Sequence, residues 1–382
     1  MISWRERITR PRYGGVIIAS WFVLPAAVLG FSACAASDEG DRPDEQNRVV
    51  APAQDGEAPA VSGDAAVDAV SPPVPCAVGN LCRAPVPFTS ETVTAIVGRS
   101  KADVWASGSN GLMMRWDGQQ WTALGSGIHE SLTSLSLSAD EAWGVAGSLV
   151  LRRGIDPASV RTLGRGIEWT FVGLGVLSKD EVYLGGCDVT ATRGMVARLD
   201  FDADTMTPLP GPLFPWSAEE QQPVWRATFL TPNKALWLVG DRAAVARYPI
   251  SPAAAGSDGG AASLGAGVML PIASYASLRA AWGHGDQLFA AGAQGTVLQF
   301  DGSKWIVHET GASATLNAIF GLSPTDVWAA GDGGTVIHYD GQTWSSVSLG
   351  TYRGSLRAIW GAAPDDVWIG GEGRLFHWGA LP

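Results

Sequence analysis

The stretch TDVWAAGDGGTVIHYDGQTW, residues 325–344, decides the fold, because relatives of it recur along the chain. DVWASGSNGLMMRWDGQQW occupies 103–121, LFAAGAQGTVLQFDGSKW occupies 288–305, and a truncated copy, DVWIGGEGRLFHW, occupies 366–378. In the first of these, two apolar runs flank GDGG, and a third begins at Trp344 behind an Asp-Gly pair. Runs of about five residues rich in Val, Ile, Leu and aromatics read as strands. Glycine and aspartate between them supply the positive φ that tight hairpins need.

Counting outward from the aromatic of DVW gives seven anchors: Trp105, Trp143, Tyr183, Trp237, Phe289, Trp328 and Trp368. They are spaced 38, 40, 54, 52, 39 and 40 residues apart. An apolar segment ending in glycine precedes the anchor in register (VTAIVG, LRAAWG, LNAIFG, LRAIWG), and a tryptophan follows it by 16 residues at Trp121, Trp305 and Trp344. Each unit of about 40 residues therefore carries four short strands, the content of one propeller blade. A single blade cannot bury both faces, whereas a closed ring of them can. The expected fold is an all-β, seven-bladed β-propeller with four-stranded antiparallel blades. The last unit stops after its third strand, and a spare segment, Leu81–Thr89, precedes the first. We expect that N-terminal strand to complete the last blade. Two insertions, 202–224 and 251–267, account for the long steps.

Composition supports this reading. The 382 residues contain 48 Gly and 17 Trp but only 16% charged residues. The formal net charge is −11, and residues 1–33 carry four arginines against one glutamate, so their removal leaves −14. A body that acidic, without a Lys/Arg stripe, repels phosphate backbones, and nucleic-acid binding is not expected.

Residues 1–33 read as a lipoprotein-type signal: a basic start, the apolar run Val16–Phe31, and FSAC ending at Cys34. Cys34 is the expected lipidation site, although Phe31 departs from the aliphatic residue usual there. An uncleaved anchor and simple cleavage are the alternatives, and all three place the body outside the cytoplasm. Residues 34–75 are expected to form a disordered acidic tether, with nine acids against two arginines. The propeller is assigned to 76–382. In an oxidising compartment Cys76 and Cys82 are expected to close a small loop, while Cys187 reads as a buried, inert thiol.

From about Leu81 onward the repeats, with their pattern DVWAVG…G…DG…W, resemble those of secreted bacterial WD-like, BNR-like and kelch-like propellers, and are similar to the propellers of photosystem-II assembly factors. The resemblance implies the fold and leaves the function open, because such rings host binders, hydrolases, lyases and quinoproteins alike. Sialidase-type rings use Asp boxes in which one residue separates Asp from Gly. Here Asp340 adjoins Gly341, and the arginine triad, nucleophilic tyrosine and acids of those enzymes cannot be assembled.

Two features invite a metal reading. His338 and His377 share one register, but Arg115 and Gln299 fill it elsewhere, so solvated strand positions are expected. The acids two residues before five anchors (Asp103, Glu141, Glu181, Asp326, Asp366) read as turn carboxylates accepting backbone N–H groups rather than as a cation ring. No metal and no cofactor are expected. The candidate ligand residues lie in the turns between second and third strands: Asn110, Asp188, Arg242, Gln294, Asp332 and Glu372. They vary while their flanks repeat, as a recognition surface on a scaffold would. The reading is a monomeric cell-surface or outer-membrane lipoprotein that binds a protein, peptide or glycan without chemistry of its own. A secreted glycoside hydrolase or polysaccharide lyase, and an envelope or pilus assembly factor, are the alternatives.

Overall fold

The computed structural model describes residues 80–138, 141–154, 161–163, 169–178, 180–188, 194–209, 223–231, 235–251, 263–272 and 274–379. Seven antiparallel sheets follow one another in chain order. The sixth blade shows the plan, with strands Leu316–Ser323, Asp326–Gly331, Val336–Tyr339 and Trp344–Ser346 running from the innermost to the outermost position. The refrain at 325–344 thus covers the second and third strands of that blade and the first residue of its fourth.

The first strands of the blades are Val93–Ser100, Ser134–Ser138, Trp169–Ser178, Trp225–Leu230, Leu278–His284, Leu316–Ser323 and Leu356–Ala363. Each packs against the first strand of the next blade, and the seventh returns to the first, so the ring is closed around these strands. Closure uses the spare N-terminal segment. Leu81–Arg83 is the outermost strand of blade 7, with Leu81 opposite Trp378 and Arg83 opposite Phe376. Ala84 adds an N–H bond to the Leu375 carbonyl at 2.8 Å. Blade 4 departs from the plan. Its third strand, Val245–Ser251, carries two short outer partners, Ser263–Leu264 and Val268–Met269, where the insertion interrupts the fourth strand.

Seven apolar clusters fill the wedges between blades, and each holds one anchor aromatic. Trp105 packs with Leu132 and Leu135 of blade 2, Trp143 with Phe171 of blade 3, and Trp368 with Val93, Trp116 and Trp121 of blade 1. All seven anchors are essentially fully buried. An aromatic burying its whole surface contributes roughly 2–3 kcal/mol before strain and entropy. That makes the repeat a packing requirement of the ring.

The acids before the anchors belong to this packing, which corrects the turn-carboxylate expectation. Asp326 accepts from His338 Nε2 and Asp366 from His377 Nε2, both at 2.8 Å. Asp103 accepts from Arg115 Nε at 2.8 Å, and Glu141 from Arg152 Nε at 2.9 Å. Each third-strand partner lies over its anchor ring: His338 is 4.2 Å from Trp328, His377 4.2 Å from Trp368, and the Arg115 guanidinium 5.7 Å from Trp105. The cross-strand register Trp328↔His338, Trp368↔His377 and Trp105↔Arg115 produces the stack. His377 is only 3% exposed, so it is not a solvated position. The blade 7 fourth strand, supplied by the distant residues 81–83, places Cys82 opposite it. Among the described residues no group of His, Cys, Asp and Glu is arranged to hold a metal.

Cys187 is buried as expected, but it is not an inert thiol: Cys82 and Cys187 are both disulfide-bonded. The residues 1–79, with Cys34 and Cys76 and the expected signal and tether, lie outside the described residues.

Candidate functional site at the channel mouth

The turns between second and third strands are where the expected ligand residues fall, and four of them share one geometry. Ser109–Gly111, Asp241–Ala243, Ala293–Gly295 and Asp332–Gly334 are short 3-10 turns whose middle residue is left-handed. Asn110, Arg242 and Gln294 occupy that middle position, at φ of 56, 57 and 55°, and all three are exposed. In blade 6 the same position is Gly333. Asp332 therefore stands one place earlier, equivalent to Ser109, Asp241 and Ala293. Glu372 belongs with Asp332, since both donate their N–H to the carbonyl preceding their own first strand: Asp332 to Thr315 at 2.9 Å, Glu372 to Ser355 at 3.0 Å. Asp188 closes its strand, and the residues after it are outside the described part of the chain. Five of the six candidates thus fall at two different turn positions on one face of the ring, and Asp188 ends a second strand on the same face.

The third residue of each of these four turns ties its blade to the next. Gly111 donates to Glu130 (3.0 Å), Ala243 to Ala276 (2.7 Å), Gly295 to Ala314 (2.8 Å) and Gly334 to Gly354 (2.9 Å). Blade 7 does the same to blade 1, Gly373 donating to Glu91 at 3.1 Å. These turns and the blade-to-blade connections therefore share one face, which we call the linker face.

A second ring of variable residues lies beside the turns. In six blades the register of the first strand slips near its linker-face end, leaving one bulged residue: Thr94, Val172, Arg226, Arg279, Asn317 and Arg357. Bulges re-aim a side chain where a strand borders a site. Here they stand on the innermost strands, at the mouth of the central channel. In the sequence five of them are the variable second letter of VTA, WRA, LRA, LNA and LRA, between flanks that match.

Bulge and turn work together. In blade 4 Arg226 grips Asp241 with two bonds, Nε–Oδ1 at 3.0 Å and a second nitrogen to Oδ2 at 2.7 Å, while Ser277 of blade 5 donates its hydroxyl to the same carboxylate. Burial alone would raise the Asp241 carboxyl, but the bonds from Arg226 and Ser277 hold it below the usual carboxylate value. Blade 6 repeats the device with neutral partners: Asn317 donates to Asp332 at 2.8 Å, and Ser355 of blade 7 donates to that carboxylate as well. Blade 5 keeps the arginine, Arg279, but has Ala293 where Asp241 and Asp332 stand. In blade 7 Glu372 turns to the Ser355 N–H at 3.2 Å, and Arg357 is exposed, with no hydrogen bond or ion pair among the described residues.

Deeper in the channel the first strands differ in the same asymmetric way. The residues opposite the anchors are Phe229, Trp282, Phe320 and Trp360 in blades 4–7, all half-buried. Blades 1–3 place Val97, Ser136 and Gly175 there. Trp282 and Phe320 lie 6.2 Å apart and Phe320 and Trp360 6.4 Å, so the rings of blades 5–7 form one continuous wall.

No family model matches the chain, and no curated protein matches it. Solved structures do. YCF48 bound to D1 peptide is similar over 78% of this chain and 94% of its own, with 16% identity and a TM-score of 0.58. YCF48 from Cyanidioschyzon merolae is similar over 79% of this chain and 99% of its own, with 14% identity and a TM-score of 0.60. The WD40 propeller domain of Doa1 has 13% identity and a TM-score of 0.56 over 78% and 96% of the two chains. These likenesses establish the propeller fold.

Proposed function

We propose that this chain is a surface-tethered, extracytoplasmic binding scaffold that captures a protein or peptide at the linker-face mouth of its channel, without chemistry of its own. The observation that carries this reading is the pairing of two variable positions, bulge and turn, on a ring whose other features repeat. A structural role would favour one residue type at each, as the anchor aromatics show. Rings of this shape support the reading, since YCF48 is described with a bound peptide. The tether fits it too: an acidic, aromatic-free segment behind Cys34 would hold the mouth away from a membrane.

The test is capture from an envelope extract by the immobilised full chain, run beside a glycan array. We expect a specific protein to be retained, and its retention to fall when Asn317 and Asp332 are both replaced by alanine. Retention of glycans alone, or turnover of any polysaccharide, contradicts the reading. Membrane fractionation of the Cys34→Ala variant tests the anchor, which requires that variant to leave the membrane fraction.

A further inference from the structure

We infer that the ligand is an extended peptide presenting a carboxylate beside an aromatic or branched apolar side chain, held by the exposed Arg242 of blade 4 and Arg357 of blade 7 over the aromatic side chains of the channel. This rests on the reading of the mouth as a peptide site.

The argument is one of placement. The chain carries a net charge of −11, yet its bulge positions in blades 4–7 are Arg226, Arg279, Asn317 and Arg357. Blades 1–3 offer Thr94, Thr133 and Val172 in the corresponding places, none of them charged. Arg242 and Arg374 add two more guanidinium groups on the same four blades, against the acids Asp241, Asp332 and Glu372. Those acids are engaged: Asp241 by Arg226 and Ser277, Asp332 by Asn317 and Ser355, Glu372 by the Ser355 N–H. Arg357 and Arg242 are exposed and make no ion pair among the described residues. Arg353 and Arg374 bond only backbone carbonyls, of Gly350, Tyr352 and Gly373.

Guanidinium groups fit carboxylates with two parallel bonds, which gives direction as well as attraction. Such an arc on an acidic protein also steers an anionic partner toward one sector of the mouth. Phe229, Trp282, Phe320 and Trp360 lie below the same arc, so a ligand engaging an arginine sets its neighbouring side chain against an aromatic ring. The other three blades offer neither group, which fixes the ligand to one side of the channel.

The full chain is to be screened against an array of random twelve-residue peptides. The expected hits are enriched in Asp or Glu next to Phe, Trp, Leu or Ile. For the strongest hit, replacing its acid by the amide, or Arg357 by Gln in the protein, is expected to weaken binding about tenfold, the scale of one charge-assisted pair. Binding should also fall as salt rises. Arg83→Gln, on the outer strand of blade 7, is the control and is expected to change nothing. Unchanged melting temperatures show that the variants fold. Hits that are neutral or basic, or acidic hits indifferent to Arg357→Gln, overturn this inference while leaving the peptide-site reading standing. An array with no specific hit overturns both.

Discussion

The N–H of Gly373 donates to the carbonyl of Glu91 at 3.1 Å, joining the last blade to the first with the same bond that joins blade 1 to blade 2 and blades 4, 5 and 6 each to the next. Its counterpart at Gly295, donating to Ala314, shows how little room the joint leaves. A Cβ there would lie 1.9 Å from the Ala312 carbonyl oxygen, at a φ of 66°. Backbone cannot move aside as a side chain can. Gly295→Ala is expected to destabilise the ring by about 3 kcal/mol, combining left-handed strain with the clash. Denaturant unfolding of the two proteins measures it.

The opposite change is expected one residue earlier. Gln294 holds a left-handed φ of 55°, and its side chain has no hydrogen bond among the described residues. Gln294→Gly should be neutral or stabilising, by up to about 1 kcal/mol, because relief of strain offsets the flexibility gained by the unfolded chain. A fall in denaturation midpoint of the size seen for Gly295→Ala would contradict this.

Asp366 and His377 offer a test of the anchor stack. Both are buried, and His377 Nε2 has the Asp366 carboxylate as its partner at 2.8 Å. Asp366→Ala strands that nitrogen and should cost about 2 kcal/mol. His377→Gln should cost less, because Gln299 fills the same register in blade 5. Equal losses in thermal unfolding would show that the bond matters less than the ring's volume.

Acid stability should depend on three turn carboxylates. Asp117, Asp301 and Asp340 each accept two backbone N–H bonds, from Gln119 and Gln120, Ser303 and Lys304, and Gln342 and Thr343. Those bonds favour the ionised form and hold all three carboxyls below their ordinary value. A carboxyl depressed in the folded state adds stability that is complete above its unfolded value, about 4, and is lost as pH falls through the folded one. Replacing the three by asparagine should therefore flatten the loss of stability below about pH 4, followed by unfolding at fixed denaturant across the acid range.

What could be read from the sequence was whatever the ring repeats for packing. Trp328, Trp105 and Trp368 are buried for one reason in every blade, so their spacing gave blade number, strand order and the missing strand that Leu81–Arg83 supplies. Features fixed by a partner distant in the chain were not legible. His377 alternates like an outward residue, and only the strand from the other end of the chain covers it. GDGG and GSNG align Asp332 with Ser109 and Gly333 with Asn110, and the left-handed φ of Gly333 and Asn110 bears out that register, so Asp332 is not the counterpart of Asn110. Arg279 and Arg357 stand in short tripeptides whose apolar flanks match, and nothing in one sequence marks a bulge. Cys187 had no visible partner in the sequence; alkylation without reductant should leave both it and Cys82 unmodified, and modify both after reduction.

The central claim is that ligand meets this chain at the linker-face mouth of blades 4–7. Hydrogen exchange of the full chain, with and without the strongest peptide from the array, tests it most directly. The account predicts slowed exchange in the bulges and turns around Arg226, Arg279, Asp332 and Arg357, with the Asp-Gly turns at 117, 301 and 340 unchanged. Protection confined to those opposite-face turns, or to the outer strand Trp305–His308, would contradict it.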